Sequence, residues 1–288
     1  MAQMFEGAAP LADFHVHSTH SDGVLSASQI VRRAIDAGIT MLAITDHDTV
    51  DAAVELAEEG PWPSLIFIPG AEWSARYEGK SVHLLSYGAD PLHARVKAMA
   101  DRAAQIRTDR AASMLEMLAR RGVLLRPADF GRPLATVTRS HIADALVARG
   151  TVSSKKMAFA QFLGPKWTQP FDLAWPPVST IIADIHEAGG VAVLAHPGHQ
   201  FSDHDLDRFC AWGLDGIEVY HPSHDASLVS FYGSRATSRG LLITGGSDFH
   251  SDEQHPNVFG QLGIAHQHAQ TFLRALRQRD CVIWGAEG

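Results

Sequence analysis

The chain has 288 residues, 45% of them hydrophobic and 19% charged, the balance of a globular protein with a sizeable core. No apolar run approaches membrane-spanning length, and Met1 to Pro10 lacks the basic-then-apolar order of a signal peptide, so neither a membrane nor an exported setting is expected. A net charge of −8 argues against nucleic-acid binding by the whole surface, and Cys210 and Cys281 are too few for a disulfide framework and suit a reducing cytoplasm.

In chain order, Leu11 to Phe14 is short and apolar and reads as the end of a strand. His15 and His17 follow, and residues two apart in an extended chain face one side, so two imidazoles aim at one point. Asp22 comes next in a Ser-Asp-Gly turn. Ser26 to Ala37 reads as a helix, capped by Ser26 or Ser28 and closed by Gly38. Ile39 to Ile44 is an apolar strand that delivers Thr45-Asp46-His47-Asp48 at its end, and a helix from Val50 to Glu59 breaks at Gly60-Pro61. Leu65 to Ile68 is a strand ending in Pro69-Gly70-Ala71-Glu72, and Ser81 to Tyr87 is another, carrying His83. This alternation predicts a parallel α/β architecture.

Between about Pro91 and Pro177 the alternation stops. Val96 to Arg121, Ser140 to Ala148 and Lys155 to Leu163 have helical spacing, so 91–175 reads as a small helical insertion between 1–90 and 176–288. Arg95 to Lys166 holds 14 basic and 5 acidic residues, a segment charge of +9 inside a chain whose remainder carries −17. The alternation then resumes with a helix at Val178 to Ala188 and a strand at Val191 to Ala195 that ends in His196-Pro197. A helix at Leu206 to Trp212 precedes the strand Gly216 to Tyr220, followed by His221-Pro222-Ser223-His224. A helix at Ala226 to Arg239, a strand at Leu241 to Thr244 and a last helix at Thr271 to Arg279 complete the pattern. Gly245 and Gly246 read as turn formers, with no G-x-G-x-x-G around them.

His15, His17, His47, Glu72, His83, His196, Asp248 and His250 all fall at or near strand ends, where α/β barrels carry their catalytic groups. Singly, each is ordinarily a cap, a turn residue or a core histidine. Together with Asp22 they make six histidines and three carboxylates, too many for one tetrahedral ion and suited to two or three. Mixed imidazole and carboxylate donors without cysteine favour Mn²⁺, with Fe²⁺ or Zn²⁺ as alternatives, over Cu(I) or Ca²⁺.

The ordered set His15-Val16-His17, Thr45-Asp46-His47-Asp48, Gly70-Ala71-Glu72, His83, Ala195-His196-Pro197 and Ser247-Asp248-Phe249-His250 resembles the polymerase and histidinol phosphatase (PHP) family. The resemblance spans nearly the whole chain outside the insertion. It implies a distorted (β/α)7 barrel and a trinuclear centre. Carried over by position, one ion would take His15, His17, Glu72 and Asp248, a second Glu72, His83 and His196, and a third Asp22, His47 and His250. Position 22 is Asp where histidinol phosphatase-like members often have His, so a different or weaker hold on the third ion is expected there. Thr45 to Thr49, the insertion, Arg139 to Ala143 and Gly216 to Tyr220 resemble a branch of stand-alone bacterial phosphoesterases. That branch looks like 3′,5′-nucleoside bisphosphate phosphatases, and some relatives degrade short RNA from the 5′ end.

The expected activity is hydrolysis of the 3′-phosphate of 3′,5′-bisphosphonucleotides such as pAp, with Glu72, Asp248 and His250 at the reaction. Ions about 3.5–4 Å apart make water acidic enough to attack phosphorus in line. His221 and His224 are candidates to protonate the leaving oxygen. Only one phosphate can sit on the ions, so the basic insertion is expected to act as a lid that holds the other. Arg139 comes first and Arg102 second, with Gln105, His141 and His250 reaching the substrate and Arg107, Arg110, Arg132 and Lys166 behind them. None of the six tryptophans is singled out as a base-stacking ring. The alternatives are a 5′–3′ exoribonuclease on short RNA, favoured by an open groove, and a non-catalytic metal-stabilised module. The expected partner is a small nucleotide or short RNA, with no obligate protein partner and no membrane.

Overall fold

The chain is described here by a computed structural model covering residues 12–285, apart from 61, 165, 168–170, 172–173, 254–257, 261–262 and 265. Met1 to Leu11 and Pro61 of the sequence reading therefore lie outside the described residues. Three short parallel strands, β1 (Ala12–Asp13), β2 (Met41–Leu42) and β3 (Ile66–Phe67), form one sheet in that order. Between them lie α1 (Ala27–Asp36) and α2 (Asp51–Ala57). Ser26 caps α1 with a reciprocal bond to Gln29, as a Ser-x-x-Gln start dictates. Ile30, Val31 and Ala34 bury one face of α1 against Leu56, Phe67 and Phe249.

The second sheet departs from the expected parallel pattern. β4 (Gly70–Tyr77) begins soon after β3 and pairs antiparallel with β5 (Lys80–Tyr87), which pairs antiparallel with β6 (Val191–Leu194). β7 (Gly216–Tyr220) and β8 (Leu242–Gly245) then continue in parallel. The reversal is made by Glu78-Gly79, whose φ angles of 48° and 77° fit a two-residue hairpin turn. Gly245 belongs to β8 rather than to a turn. The margins of the two sheets meet through single bridges, Val16 with Phe249 and His47 with Glu72. Among the described residues these are two sheets, not one continuous seven-stranded ring.

Four helices pack outside the second sheet: α6 (Val178–Glu187), α7 (Asp203–Ala211), α8 (Ala226–Arg239) and α9 (His266–Gln278). Ile181, Ile182 and Leu206 share one buried cluster with Trp73, Leu84 and Ile217. Phe272 and Leu276 of α9 close another with Phe14, Tyr87 and Val193.

The helices between residues 94 and 163 have a core of their own. α3 (Ala94–Arg120) starts in the sheet-side cluster with Val96 and Met99, then runs out to bury Met114 and Leu118. These meet Ile142 and Leu146 of α4 (Arg139–Ala148) and Leu163 beyond α5 (Lys155–Ala158), where the chain widens into a π-helical turn over Phe159–Leu163. Leu118, Ile142 and Leu146 are fully buried, and each is worth about 1.5–3 kcal/mol in transfer terms. α4 begins at Arg139 rather than at Ser140, with Thr138 as its cap. Among the described residues no helix is long and apolar enough to cross a membrane.

Candidate metal centre

The chain after β1 runs beside the chain after β8. Phe14 N–H donates to Gly245 O at 3.2 Å, Asp248 N–H to His15 O at 2.8 Å and His17 N–H to Phe249 O at 2.9 Å. This approach requires Gly246, because a Cβ there would stand 2.4 Å from His15 N. The turn that brings Asp22 back likewise requires Gly23, whose Cβ would lie 2.1 Å from His17 O. Asp46, fully buried, holds that turn by accepting from Ser18 N–H, Ser18 Oγ and Ser21 Oγ. Asp48, His196 and Asp248 all take positive φ, of 57°, 24° and 48°. Non-glycine residues rarely adopt that region, and it is where side chains at functional sites are often forced.

Glu72 and His83 reach the same place from strand interiors, not from strand ends. In the hairpin Glu72 pairs with Leu85 and Ser74 with His83, so Glu72 and His83 stand diagonally on one face. Glu72 is 1% exposed and forms the hub. Its Oε1 lies 2.6 Å from His83 Nδ1 and 2.7 Å from His196 Nε2. Its Oε2 lies 2.9 Å from His47 Nδ1, 3.4 Å from His15 Nε2 and 3.3 Å from His17 Nε2. Asp248 Oδ1 is 3.3 and 3.1 Å from the same nitrogens of His15 and His17. Asp22 Oδ1 is 3.2 Å from His250 Nε2 and 3.9 Å from both His47 Nε2 and His17 Nδ1.

All nine residues expected from the sequence therefore converge. The partition differs from the positional expectation at two residues, His47 and His17. His47 presents Nδ1 to the Glu72–His83 group and Nε2 to the Asp22–His250 group, and His17 also borders both Glu72 and Asp22.

Hydrogen bonds set two ring tautomers. His250 Nδ1–H donates to Asp248 O at 2.9 Å, leaving the Nε2 lone pair towards Asp22. His15 Nδ1–H donates to Glu218 Oε1 at 2.8 Å, leaving Nε2 towards Glu72 and Asp248. Glu218 is fully buried, and its other oxygen accepts from His196 N–H at 2.7 Å. The sequence reading missed this role. Its signal is a lone carboxylate inside an otherwise apolar strand, Gly-Ile-Glu-Val-Tyr.

The donor set fits cations. Glu72 Oε2, His47 Nδ1, His83 Nδ1 and Asp22 Oδ1 are buried with no hydrogen-bond partner, four of the eight such atoms found among the described residues. His15 Nε2 and His17 Nε2 face each other at 3.2 Å, lone pair towards lone pair unless a proton or an ion intervenes. Burial alone would raise the Glu72 carboxyl, yet His83, His47 and His15 hold it well below the ordinary range. Burial likewise opposes ionisation of Asp22 and Asp248, and their histidine neighbours hold both well below it. Burial would lower the His17 imidazole, but Asp248 and Glu72 push it up to about 10. Protons here stand where positive charge is wanted.

The substrate-side expectations divide. Arg139 lines the cavity next to Asp22, His47 and His83, together with Arg107 and Arg110. Arg107 also holds Asp48 through Nε at 2.7 Å. Arg102 is not brought to the cluster's hydrogen bonds: its guanidinium pairs with Asp184 of α6 at 2.7 Å. Gln105 donates to Asp109 on its own helix at 3.0 Å. His141 closes the cap of α4, with Nδ1 accepting from Thr138 N–H at 3.0 Å, and the Arg132 guanidinium lies against its Nε2. Arg132 also donates to Ser21 O at 2.7 Å and Thr19 O at 3.2 Å, tying the insertion to the turn that carries Asp22. His224 is a loop anchor, since Nδ1–H donates to Val219 O and Nε2 accepts from Gly198 N–H. His221 remains beside the centre, with Nε2 3.2 Å from Asp248 Oδ2.

A PHP domain model matches residues 13–112 of the chain. A 5′–3′ exoribonuclease of Haemophilus influenzae is 33% identical over 246 residues, which cover 83% of this chain and 89% of that protein. A 3′,5′-nucleoside bisphosphate phosphatase of Chromobacterium violaceum is 30% identical over 254 residues, 83% of this chain and 87% of that one. Among solved structures, an amidohydrolase of Chromobacterium violaceum with bound sulfate superposes with a TM-score of 0.80 at 28% identity, covering 93% of this chain and 96% of that one.

Proposed function

Since this chain belongs to the PHP family of metal-dependent phosphoesterases, we propose that it hydrolyses the 3′-phosphate of 3′,5′-bisphosphonucleotides such as pAp, giving the 5′-mononucleotide and phosphate. The observation that carries this reading is one cavity whose wall combines Asp22, His47 and His83 with Arg107, Arg110 and Arg139. Two phosphates need two kinds of partner, a cation-loaded centre for the reacting one and arginine donors for the other. The relative from Chromobacterium violaceum bears the same activity in its name.

In this reading His15, His17, Glu72 and Asp248 hold one divalent ion, Glu72 with His47, His83 and His196 a second, and Asp22 and His250 with His17 and His47 a third. When bound, such ions, Mn²⁺ first, lower the pKa of water and offset charge on the phosphoryl oxygens. The chain's own work is positional. Glu218 and the Asp248 carbonyl set the tautomers of His15 and His250. Asp46 holds the Asp22 turn, and Arg107 holds Asp48, next to His47. Arg139, the first residue of α4, has no carboxylate partner among the described residues and receives the 5′-phosphate at a helix N-terminus. In the same reading the catalytic α/β part takes residues 1–90 and 176–288, the basic lid takes 91–175, and the setting is cytoplasmic.

A second reading, 5′–3′ cleavage of short RNA by the same centre, is supported by the Haemophilus influenzae relative. Phosphate and mononucleotide release with Mn²⁺ over mononucleotides, bisphosphonucleotides and 5′-phosphorylated dinucleotides separates the two. Preferred phosphate release from pAp is expected. Preferred mononucleotide release from the dinucleotides would overturn the phosphatase reading in favour of the nuclease.

A further inference from the structure

The cavity continues past Arg139. Arg139 and Phe159 line the reaction cavity with Asp22, His47 and His83. The same two residues also wall an outer groove, completed by Leu163, Lys166 and Trp167 among others. None of the nine cluster residues is in this groove's described lining, which meets the reaction cavity only at Arg139 and Phe159. Its described lining carries two rings and two cations and no carboxylate. Lys166 Nζ lies 5.1 Å from the Trp167 ring centroid, and the Arg121 guanidinium lies 4.1 Å from it. Lys166 is exposed and Trp167 half-buried, so both are accessible. The Phe159 edge is supplied by the π-helical turn, a widening of the helix often found at functional sites.

A flat ring beside a positive charge is what single-stranded nucleic acid selects, because each of its units brings a base to stack and a phosphate to neutralise. An acidic peptide supplies the charge without the ring. We infer that the groove is a second nucleoside subsite, holding the nucleoside esterified to the far side of the phosphate at Arg139. This rests on the phosphoesterase reading above and widens its substrate class to a single strand that ends in a 3′-phosphate. The terminal phosphate then lies at the metal cluster, the preceding phosphodiester at Arg139, and the preceding base against Trp167. The reaction keeps its balance: an oxygen of water bonds to phosphorus, the bond from phosphorus to the 3′-oxygen breaks, and a proton from water goes to the leaving oxygen.

The test compares ApAp, the 3′-phosphorylated dinucleotide, with pAp on Mn²⁺-loaded protein. Trp167→Leu should lower kcat/KM for ApAp by about 5- to 150-fold, the range of one base stacked on one ring. It should leave pAp within about twofold, and Trp167→Phe should restore most of the ApAp activity. An equal loss on both substrates would assign the ring to the reacting base or to the fold, and no loss on ApAp would empty the groove of a nucleoside; either result overturns the subsite. If wild-type protein turns over neither substrate, the phosphoesterase reading fails separately. The same comparison, read as binding by isothermal titration calorimetry, then decides the subsite by the same ratios.

Discussion

The role given to Glu218 makes a quantitative demand on the variant Glu218→Gln. The carboxylate is fully buried and accepts two hydrogen bonds, from His15 Nδ1–H at 2.8 Å and from His196 N–H at 2.7 Å. Glutamine keeps the volume but replaces one acceptor oxygen by an NH₂ group. If the remaining oxygen serves His196 N–H, the amide nitrogen meets His15 Nδ1 donor to donor. The ring escapes by moving its proton to Nε2, the nitrogen that faces Glu72 Oε2 and Asp248 Oδ1. That tautomer has no lone pair on Nε2, the nitrogen that would face a cation. Losing one charge-assisted hydrogen bond costs about 1.5–3 kcal/mol, and partners that orient metal-binding histidines are typically worth 10–100-fold in affinity. Mn²⁺ affinity should therefore fall by about 10–100-fold. Competition of the loaded protein against a chelator at fixed pH measures it, with circular dichroism to confirm the fold. A variant that binds Mn²⁺ as tightly as wild type, while melting at a lower temperature, would make Glu218 a buried structural carboxylate and refute the tautomer argument.

Further expectations follow from other contacts. Glu72→Ala should lose metal and nearly all activity, because five histidines surround its two oxygens; full metal content by elemental analysis would remove the bridging assignment. Arg139→Ala should lower kcat/KM for pAp by about 10- to 150-fold and barely change hydrolysis of an aryl phosphate, which has no second phosphate to hold. Equal losses on both would place that arginine at the reacting phosphate or in the fold. His141 is held down to about 4 by burial and by Arg132, against an ordinary 6.5. Between those values the unfolded chain binds the proton and the folded chain does not, so stability drops as pH falls from 6.5 towards 4, by at most about 3 kcal/mol. His141→Gln should flatten denaturant midpoints measured across that window, and an unchanged slope would move the effect elsewhere.

Much of this site is legible in the residues alone. His15 and His17 share a face because a strand repeats every two residues, and Asp22 turns back at Gly23, where a Cβ would have no room. The helices α1, α6 and α8 announce themselves by periodicity and end signals, and Gly216–Tyr220 and Ala226–Arg239 lie where apolar spacing put them. Where reading stopped, the deciding contacts are long in sequence. Glu72 and His83 were read as strand-end residues of parallel strands, whereas Glu78-Gly79 folds them into an antiparallel hairpin and sets them diagonally on one face. Glu218 approaches His15 across 203 positions, and Arg102 turns to Asp184 across 82. Local spacing records which side chains can face one way, because backbone geometry repeats over a few residues. Which carboxylate satisfies which imidazole, and which arginine is left for a substrate, depends on how buried charges from distant segments neutralise one another, and only the packed chain decides that.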